Sequence, residues 1–148
     1  MNLLFVCSGN TCRSAMAEAL AKKIARRRGL EDMKLSSAGT NAWENATATD
    51  EALLVGMERD IDLTAHRARK LTPAIVSEAD LIFVMTPGHV EQVVQLGGRG
   101  KVHVVDEYAS GVPNRGITDP YGGDLDAYRQ TADVLERELE KVFDRLGS

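Results

Sequence analysis

Two rhythms of apolar and polar positions share this chain. Leu3-Leu4-Phe5-Val6 is a short unbroken apolar run, too short for a helix and rich in strand formers, as expected of a strand buried on both faces. Ala15-Met16-Ala17-Glu18-Ala19-Leu20 then supplies strong helix formers. Ala17, Leu20, Ala21, Ile24 and Ala25 recur at 3.6-residue spacing, which predicts a helix over 14–28 capped by Gly29. Further along, 33–38 reads as a strand ended by Gly39 and 49–59 as a helix. A short helix starts at Thr72-Pro73, and 80–85 reads as a central strand apolar on both faces. Thr86-Pro87-Gly88 turns into a helix reaching about 96, Gly97 to Gly100 is a turn, 101–105 is a fourth strand, and 106–117 reads as a loop. The last helix, over 125–146, has Asp124 as N-cap and Tyr128, Ala132, Leu135, Leu139, Val142 and Phe143 as its buried stripe. Strands alternating with helices predict an α/β fold: a single domain over 1–148, with an open four-stranded parallel sheet and helices on both faces.

The first strand and first helix are joined by Cys7-Ser8-Gly9-Asn10-Thr11-Cys12-Arg13-Ser14. The first N–H groups of a helix have no internal partner, and the helix dipole places partial positive charge there, so this loop is an anion site. Gly9 is expected to turn where a Cβ would clash, and Asn10 tolerates positive φ. A ring of N–H groups around an anion follows. Cys7 ends the strand facing that ring, where a helix N-terminus and a cation favour a reactive thiolate. Arg13 can fold a planar fork onto two phosphate oxygens, and Ser14 can donate to the sulfur. A thiolate held against phosphorus, with donors on the equatorial oxygens, is arranged for displacement through a cysteinyl-phosphate. Other readings of the loop fit less well. A nucleotide-binding loop needs a Lys that is missing here. A thioredoxin-type pair needs two residues between its cysteines, and four separate Cys7 from Cys12. Two cysteines and three scattered histidines are too few for a zinc site.

Composition narrows the class. At 148 residues the chain can bury a real core, and 43% hydrophobic with 27% charged residues is ordinary for a globular domain. A net charge of −4 argues against nucleic acid or an anionic membrane as partner. No apolar run approaches the ~18 residues of a membrane span. No basic region or cleavage site precedes the first strand, so no signal peptide is expected. Two cysteines, one of them a candidate nucleophile, suit a reducing cytoplasm. Arg26-Arg27-Arg28 reads as cations complementing a helix C-terminus rather than as a polyanion site. His89 and His103 have no partner at metal or triad spacing and read as structural or surface residues.

The string Val6-Cys7-Ser8-Gly9-Asn10-Thr11-Cys12-Arg13-Ser14, placed after one strand in a chain of this length, resembles the low molecular weight protein-tyrosine-phosphatase family. The resemblance implies a flavodoxin-like strand order 2-1-3-4, with the site at the switch point by strand 1. It implies a metal-independent phosphatase without cofactors, acting on phosphorylated proteins and releasing inorganic phosphate. Catalysis would rest on Cys7, Arg13 and Asp119, with phosphate bound by Ser8, Gly9, Asn10, Thr11, Cys12, Arg13 and Ser14. Asp119-Pro120-Tyr121 taken bare is most often a turn; in the family this motif carries the acid, with Pro120 fixing the backbone and Tyr121 shielding the carboxyl from water. The Thr40–Asn45 loop looks like the one bordering the family's pocket, which makes Trp43 a wall of the site. Ser37 matches a serine bonded to the phosphate loop, and His66, in His-x-Ala-Arg, matches a histidine supporting the loop Asn10. Cys12 matches a neighbour that forms a reversible disulfide with the nucleophile.

Two positions bear on substrate. Thr11 stands where many tyrosine-specific members carry a larger aliphatic residue, and Gly122 where several carry a second aromatic. Thr11 resembles the bacterial protein-arginine-phosphatase branch, because a small polar side chain leaves room for a planar guanidinium. Phosphoarginine is therefore favoured, with phosphotyrosine close behind, the pocket being lined by Thr11, Trp43 and Tyr121. Arsenate reductases and phosphocysteine carriers of the same fold are the alternatives. The former need a resolving cysteine beyond Cys12, and the latter usually lack the Arg and Asp found here.

Overall fold

The computed structural model describes residues 1–111 and 116–147. Its centre is β1 (Asn2–Cys7), which pairs in parallel with β2 (Lys34–Gly39) on one side and β3 (Leu81–Val84) on the other; β4 (Val102–Val104) completes the order β2-β1-β3-β4. This is the expected order. The loops after β1 and β3 leave the sheet to opposite sides, which opens a crevice at the carboxyl end of β1.

The unbroken apolar run of β1 feeds two cores. Leu3, Phe5 and Cys7 face α1 (Arg13–Arg27) and α6 (Leu125–Arg145), meeting Met16, Leu20, Leu139 and Phe143. Leu4 and Val6 face the other side, with Val76 of α3 (Pro73–Glu78) and Val93 of α4 (Val90–Val93). A period of two on a strand covered on both faces explains why neither parity is polar. The predicted stripes of α1 and α6 are buried as expected. Arg27 and Arg28 do more than complement a dipole. Arg27 pairs with Glu140, and Arg28 reaches Glu140 Oε1 at 2.8 Å and Asp144 Oδ1 at 2.9 Å, tying the end of α1 to α6.

Thr49 caps α2 (Asp50–Glu58), Thr72 caps α3 and Asp124 caps α6, each through a side-chain oxygen on a backbone N–H. The start of α1 has no side-chain cap. Two expectations are corrected on the β4 side. The predicted helix after Thr86 breaks into a 3₁₀ turn (Pro87–His89), the single turn of α4 and a wide turn over Val94–Gly98, where Gly97 at φ 104 ends it. The predicted loop over 106–117 begins as a helix instead: Val105 leaves the sheet and opens α5 (Val105–Ser110), which Gly111 stops at φ 75. Six residues are too few to show a helical stripe, but Asp106 and Glu107 in the first turn suit the dipole. The remainder of that loop, 112–115, lies outside the described residues. No described helix is long and apolar enough to cross a membrane.

Candidate active site

Cys7 closes β1 and Arg13 opens α1, so the residues between must reverse the chain. Asn10 does this at φ 58. Gly9 is outside the left-handed region, and a Cβ there would meet Thr11 Oγ1 at an ordinary 3.5 Å, so the clash expected at Gly9 is not found. The glycine this loop needs is Gly39, paired with Cys7 at the end of β2. A Cβ on Gly39 would stand 2.5 Å from Ser8 O and 3.0 Å from Asn10 N. The N–H groups of Ser8, Gly9 and Thr11 have no acceptor among the described residues. Together with the uncapped start of α1 they form a cup of unpaired donors.

Asn10 is fully buried and holds the cup in shape. Arg69 N–H donates to Asn10 Oδ1 at 3.0 Å, which fixes the orientation of the amide. Asn10 Nδ2 then donates to Ser14 Oγ at 2.8 Å and to Ser37 Oγ at 2.9 Å. The Ser37 hydroxyl in turn donates to Glu18 Oε1 at 2.6 Å. His66 Nε2 lies 2.6 Å from Asn10 O, and because a carbonyl only accepts, Nε2 carries the proton. Ser14 Oγ, which accepts from Asn10, lies 2.9 Å from Cys7 Sγ and is the donor of that pair when the sulfur is a thiolate; Asn10 N–H points to the same sulfur at 3.3 Å. The structure thus brings Ser37 and His66 to the loop asparagine. Glu18 and Arg69 complete the network; no local pattern in the sequence marks Glu18, and Arg69, the last residue of the His-x-Ala-Arg string, takes part through its backbone N–H.

Arg13 is buried and bonds the far wall: Nη1 donates to Ile117 O at 3.0 Å, and Nη2 lies 3.5 Å from Asp119 Oδ2. Its Nε is buried with no acceptor among the described residues. Asp119 also accepts from Tyr121 N–H at 3.0 Å and lies 3.9 Å from Cys12 Sγ. Its side chain is 48% exposed and Tyr121 is 72% exposed, so Tyr121 braces the carboxyl through its backbone and does not shield it from water. Thr11, Trp43 and Tyr121 line one cavity of about 450 Å³ with Gly9, Cys12 and Asn41, and Trp43 is 84% exposed. Cys12 is buried against Tyr128. Burial, helped by the neighbouring Cys7, pushes its thiol up to about 11, and burial pushes the Tyr128 hydroxyl up to about 12. Sulfur with converging donors, a cup of N–H groups, a buried guanidinium and a carboxyl at the mouth can together move a phosphoryl group.

Residues 2–148 match the family described as low molecular weight phosphotyrosine protein phosphatase. The chain belongs to that family. It is 41% identical to a protein-arginine-phosphatase of Bacillus subtilis (strain 168), over 99% of this chain and 97% of the relative. It is 37% identical to a low molecular weight protein-tyrosine-phosphatase of Staphylococcus haemolyticus, over 91% and 92%. A solved arginine phosphatase superposes with a TM-score of 0.94 at 41% identity, covering 100% of this chain and 97% of that one; it is a cysteine-to-serine variant with a phosphorylated active-site serine. Within this low molecular weight phosphatase, one residue read as structural or surface stands at the loop between β1 and α1. His89 is buried and its Nε2 lies 3.0 Å from Ser8 Oγ. The two residues are 81 positions apart, so no spacing in the sequence links them. His103 instead packs between Phe83 and Tyr108, in keeping with a structural role.

Proposed function

We propose that this chain is a metal-independent protein phosphatase working through a cysteinyl-phosphate, with phosphoarginine its favoured substrate and phosphotyrosine next. The observation that carries the reading is the convergence of Ser14 and Asn10 donors on Cys7 Sγ, inside a cup of unpaired N–H groups. In the first step Cys7 Sγ attacks phosphorus. The S–P bond forms while the bond to the guanidine nitrogen or phenol oxygen breaks, and Asp119 gives its proton to the leaving atom. Arg13 Nε and the loop N–H groups from Ser8 to Ser14 take the equatorial oxygens, neutralising charge without a metal ion. In the second step water attacks phosphorus and Asp119 takes its proton. The S–P bond breaks, the thiolate returns to the Ser14 donor, and inorganic phosphate leaves. Asn10, Ser37 and His66 hold the cup. The whole of 1–148 acts as one domain on phosphorylated proteins, and two free cysteines suit a reducing cytoplasm.

Thr11 is the specificity position. It is half-buried in the cavity with Trp43 and Tyr121, where its hydroxyl meets the leaving group near phosphorus. Steady-state kinetics on phosphoarginine and phosphotyrosine peptides, side by side, test the substrate reading. Thr11→Ile is expected to shift the ratio of the two kcat/KM values toward phosphotyrosine by roughly tenfold. An unchanged ratio removes Thr11 from the argument.

Cys12 is the partner that rescues an oxidised nucleophile. Peroxide converts Cys7 to a sulfenic acid; Cys12 sulfur attacks it, an S–S bond forms and water leaves. Because the Cys12 thiol sits at about 11, its thiolate fraction grows as pH rises through the neutral range. Dithiothreitol is therefore expected to restore a larger fraction of peroxide-treated activity at higher pH, and little in Cys12→Ser. Equal recovery with and without Cys12 would refute the role.

A further inference from the structure

His89 is 6% exposed, and both nitrogens of its ring are engaged. Nε2 lies 3.0 Å from Ser8 Oγ and Nδ1 lies 3.1 Å from Thr86 Oγ1, while its backbone N–H donates to Thr86 O at 3.1 Å. A neutral imidazole has one donor and one acceptor, and each hydroxyl can play either part, so the bridge is complete in the uncharged ring. Burial and then the charge of Arg13 push the His89 pKa below the usual histidine range, against an opposing pull from Asp119. The far end of the bridge is significant. Thr86 follows Met85, whose N–H donates to Val6 O and whose carbonyl accepts from Ile117 N–H at 2.7 Å. One short segment at the exit of β3 therefore carries the strand that ends in Cys7 and the loop that ends in Asp119.

We propose that His89 is a positioning residue for phosphoryl transfer, clamping Ser8 of the phosphate loop to the exit of β3 through a Ser8–His89–Thr86 bridge. This rests on the reading of the loop as a phosphoryl-transfer site. Ser8 N–H is among the loop donors with no internal acceptor, so nothing inside the loop holds its direction. Ser8 is anchored at its carbonyl, which accepts from Asn41 N–H at 2.9 Å, and at its hydroxyl through His89. Two anchors on either side of the peptide fix its torsions before an anion arrives, which lowers the ordering cost of binding. The same clamp sets the loop against the segment that bears the acid.

The test is a double-mutant cycle read by inhibition with inorganic phosphate and by KM and kcat on para-nitrophenyl phosphate. Ser8→Ala and His89→Ala are each expected to raise the phosphate inhibition constant and KM by about 3- to 10-fold. The double variant should be no weaker than the worse single, because both remove one bridge. His89→Gln, which keeps a polar side chain in place of the ring, should recover part of the loss. Losses that multiply in the double variant, or an unchanged inhibition constant in Ser8→Ala, overturn the proposal. Should His89→Ala fail to fold, Ser8→Ala against Ser8→Thr decides: the hydroxyl-retaining variant must bind phosphate as the parent does, and a loss equal to that of Ser8→Ala overturns the bridge. Wild-type protein that releases no phosphate from para-nitrophenyl phosphate fails the phosphatase reading itself. An active enzyme whose two single variants do not couple fails this inference alone.

Discussion

Cys7→Ser is expected to abolish turnover, lowering kcat by at least about 10⁴-fold while leaving inorganic phosphate bound with near-parent affinity. The asymmetry follows from where the charges sit. The cup is made of backbone N–H groups and Arg13, none of which depends on the atom at the tip of residue 7. The nucleophile depends on it entirely. Sulfur ionises far more readily than a hydroxyl, and the Ser14 and Asn10 donors at 2.9 and 3.3 Å are placed for a sulfur that carries charge. Any phosphoryl group that does reach the hydroxyl is trapped, because an alkoxide is a poor leaving group in the second step. The solved arginine phosphatase with a phosphorylated active-site serine is such a species in a relative. Intact mass after incubation with substrate should therefore gain one phosphoryl group, and calorimetry should still detect phosphate binding. Residual turnover within tenfold of the parent would remove Cys7 from the reaction.

The strands of the sheet and the cup were legible because they rest on local rules, whereas the strand order followed from the family resemblance alone. A four-residue apolar run before a helix-forming run, with Asn10 between them, specifies strand, tight loop and helix without reference to the rest of the chain. The starts of α2, α3 and α6 were placed to within a residue, α6 by its N-cap Asp124 and α3 by Pro73 in its first turn; in the structure Thr49 and Thr72 cap as Asp124 does, each accepting from an N–H three positions away. What stayed hidden is held by long-range contacts or is too short to show a period. α5 has six residues and no stripe. The glycine that matters, Gly39, is defined by the approach of β2 to the loop, which only the assembled sheet creates. Glu18 and His89 reach the loop network from α1 and from the exit of β3, and Arg69, though part of the His-x-Ala-Arg string, holds Asn10 through a backbone N–H that no side chain announces. Family resemblance found Ser37 and His66, where periodicity alone had nothing to say about either.

Asp119→Asn is expected to slow phosphoarginine hydrolysis by roughly 10² to 10⁴-fold and to slow para-nitrophenyl phosphate less. The difference is in the leaving group. A guanidine nitrogen must be protonated as its bond to phosphorus breaks, and a phenol oxygen needs a proton too, but para-nitrophenolate leaves unaided. On that substrate the first step should survive and the second, which needs Asp119 as base, should become limiting, giving a burst of nitrophenol before slow turnover. Charge predicts a further effect of opposite sign. The Asp119 carboxylate lies 3.5 Å from Arg13 and competes with a phosphate dianion for that cation. Removing its charge should strengthen phosphate inhibition even as kcat falls. The carboxyl is about half exposed, so solvent keeps this second effect small, a few-fold at most. General damage to the site would weaken phosphate binding and rate together. A variant that loses rate on both substrates equally, and binds phosphate more weakly, would show that Asp119 shapes the site without handling the proton.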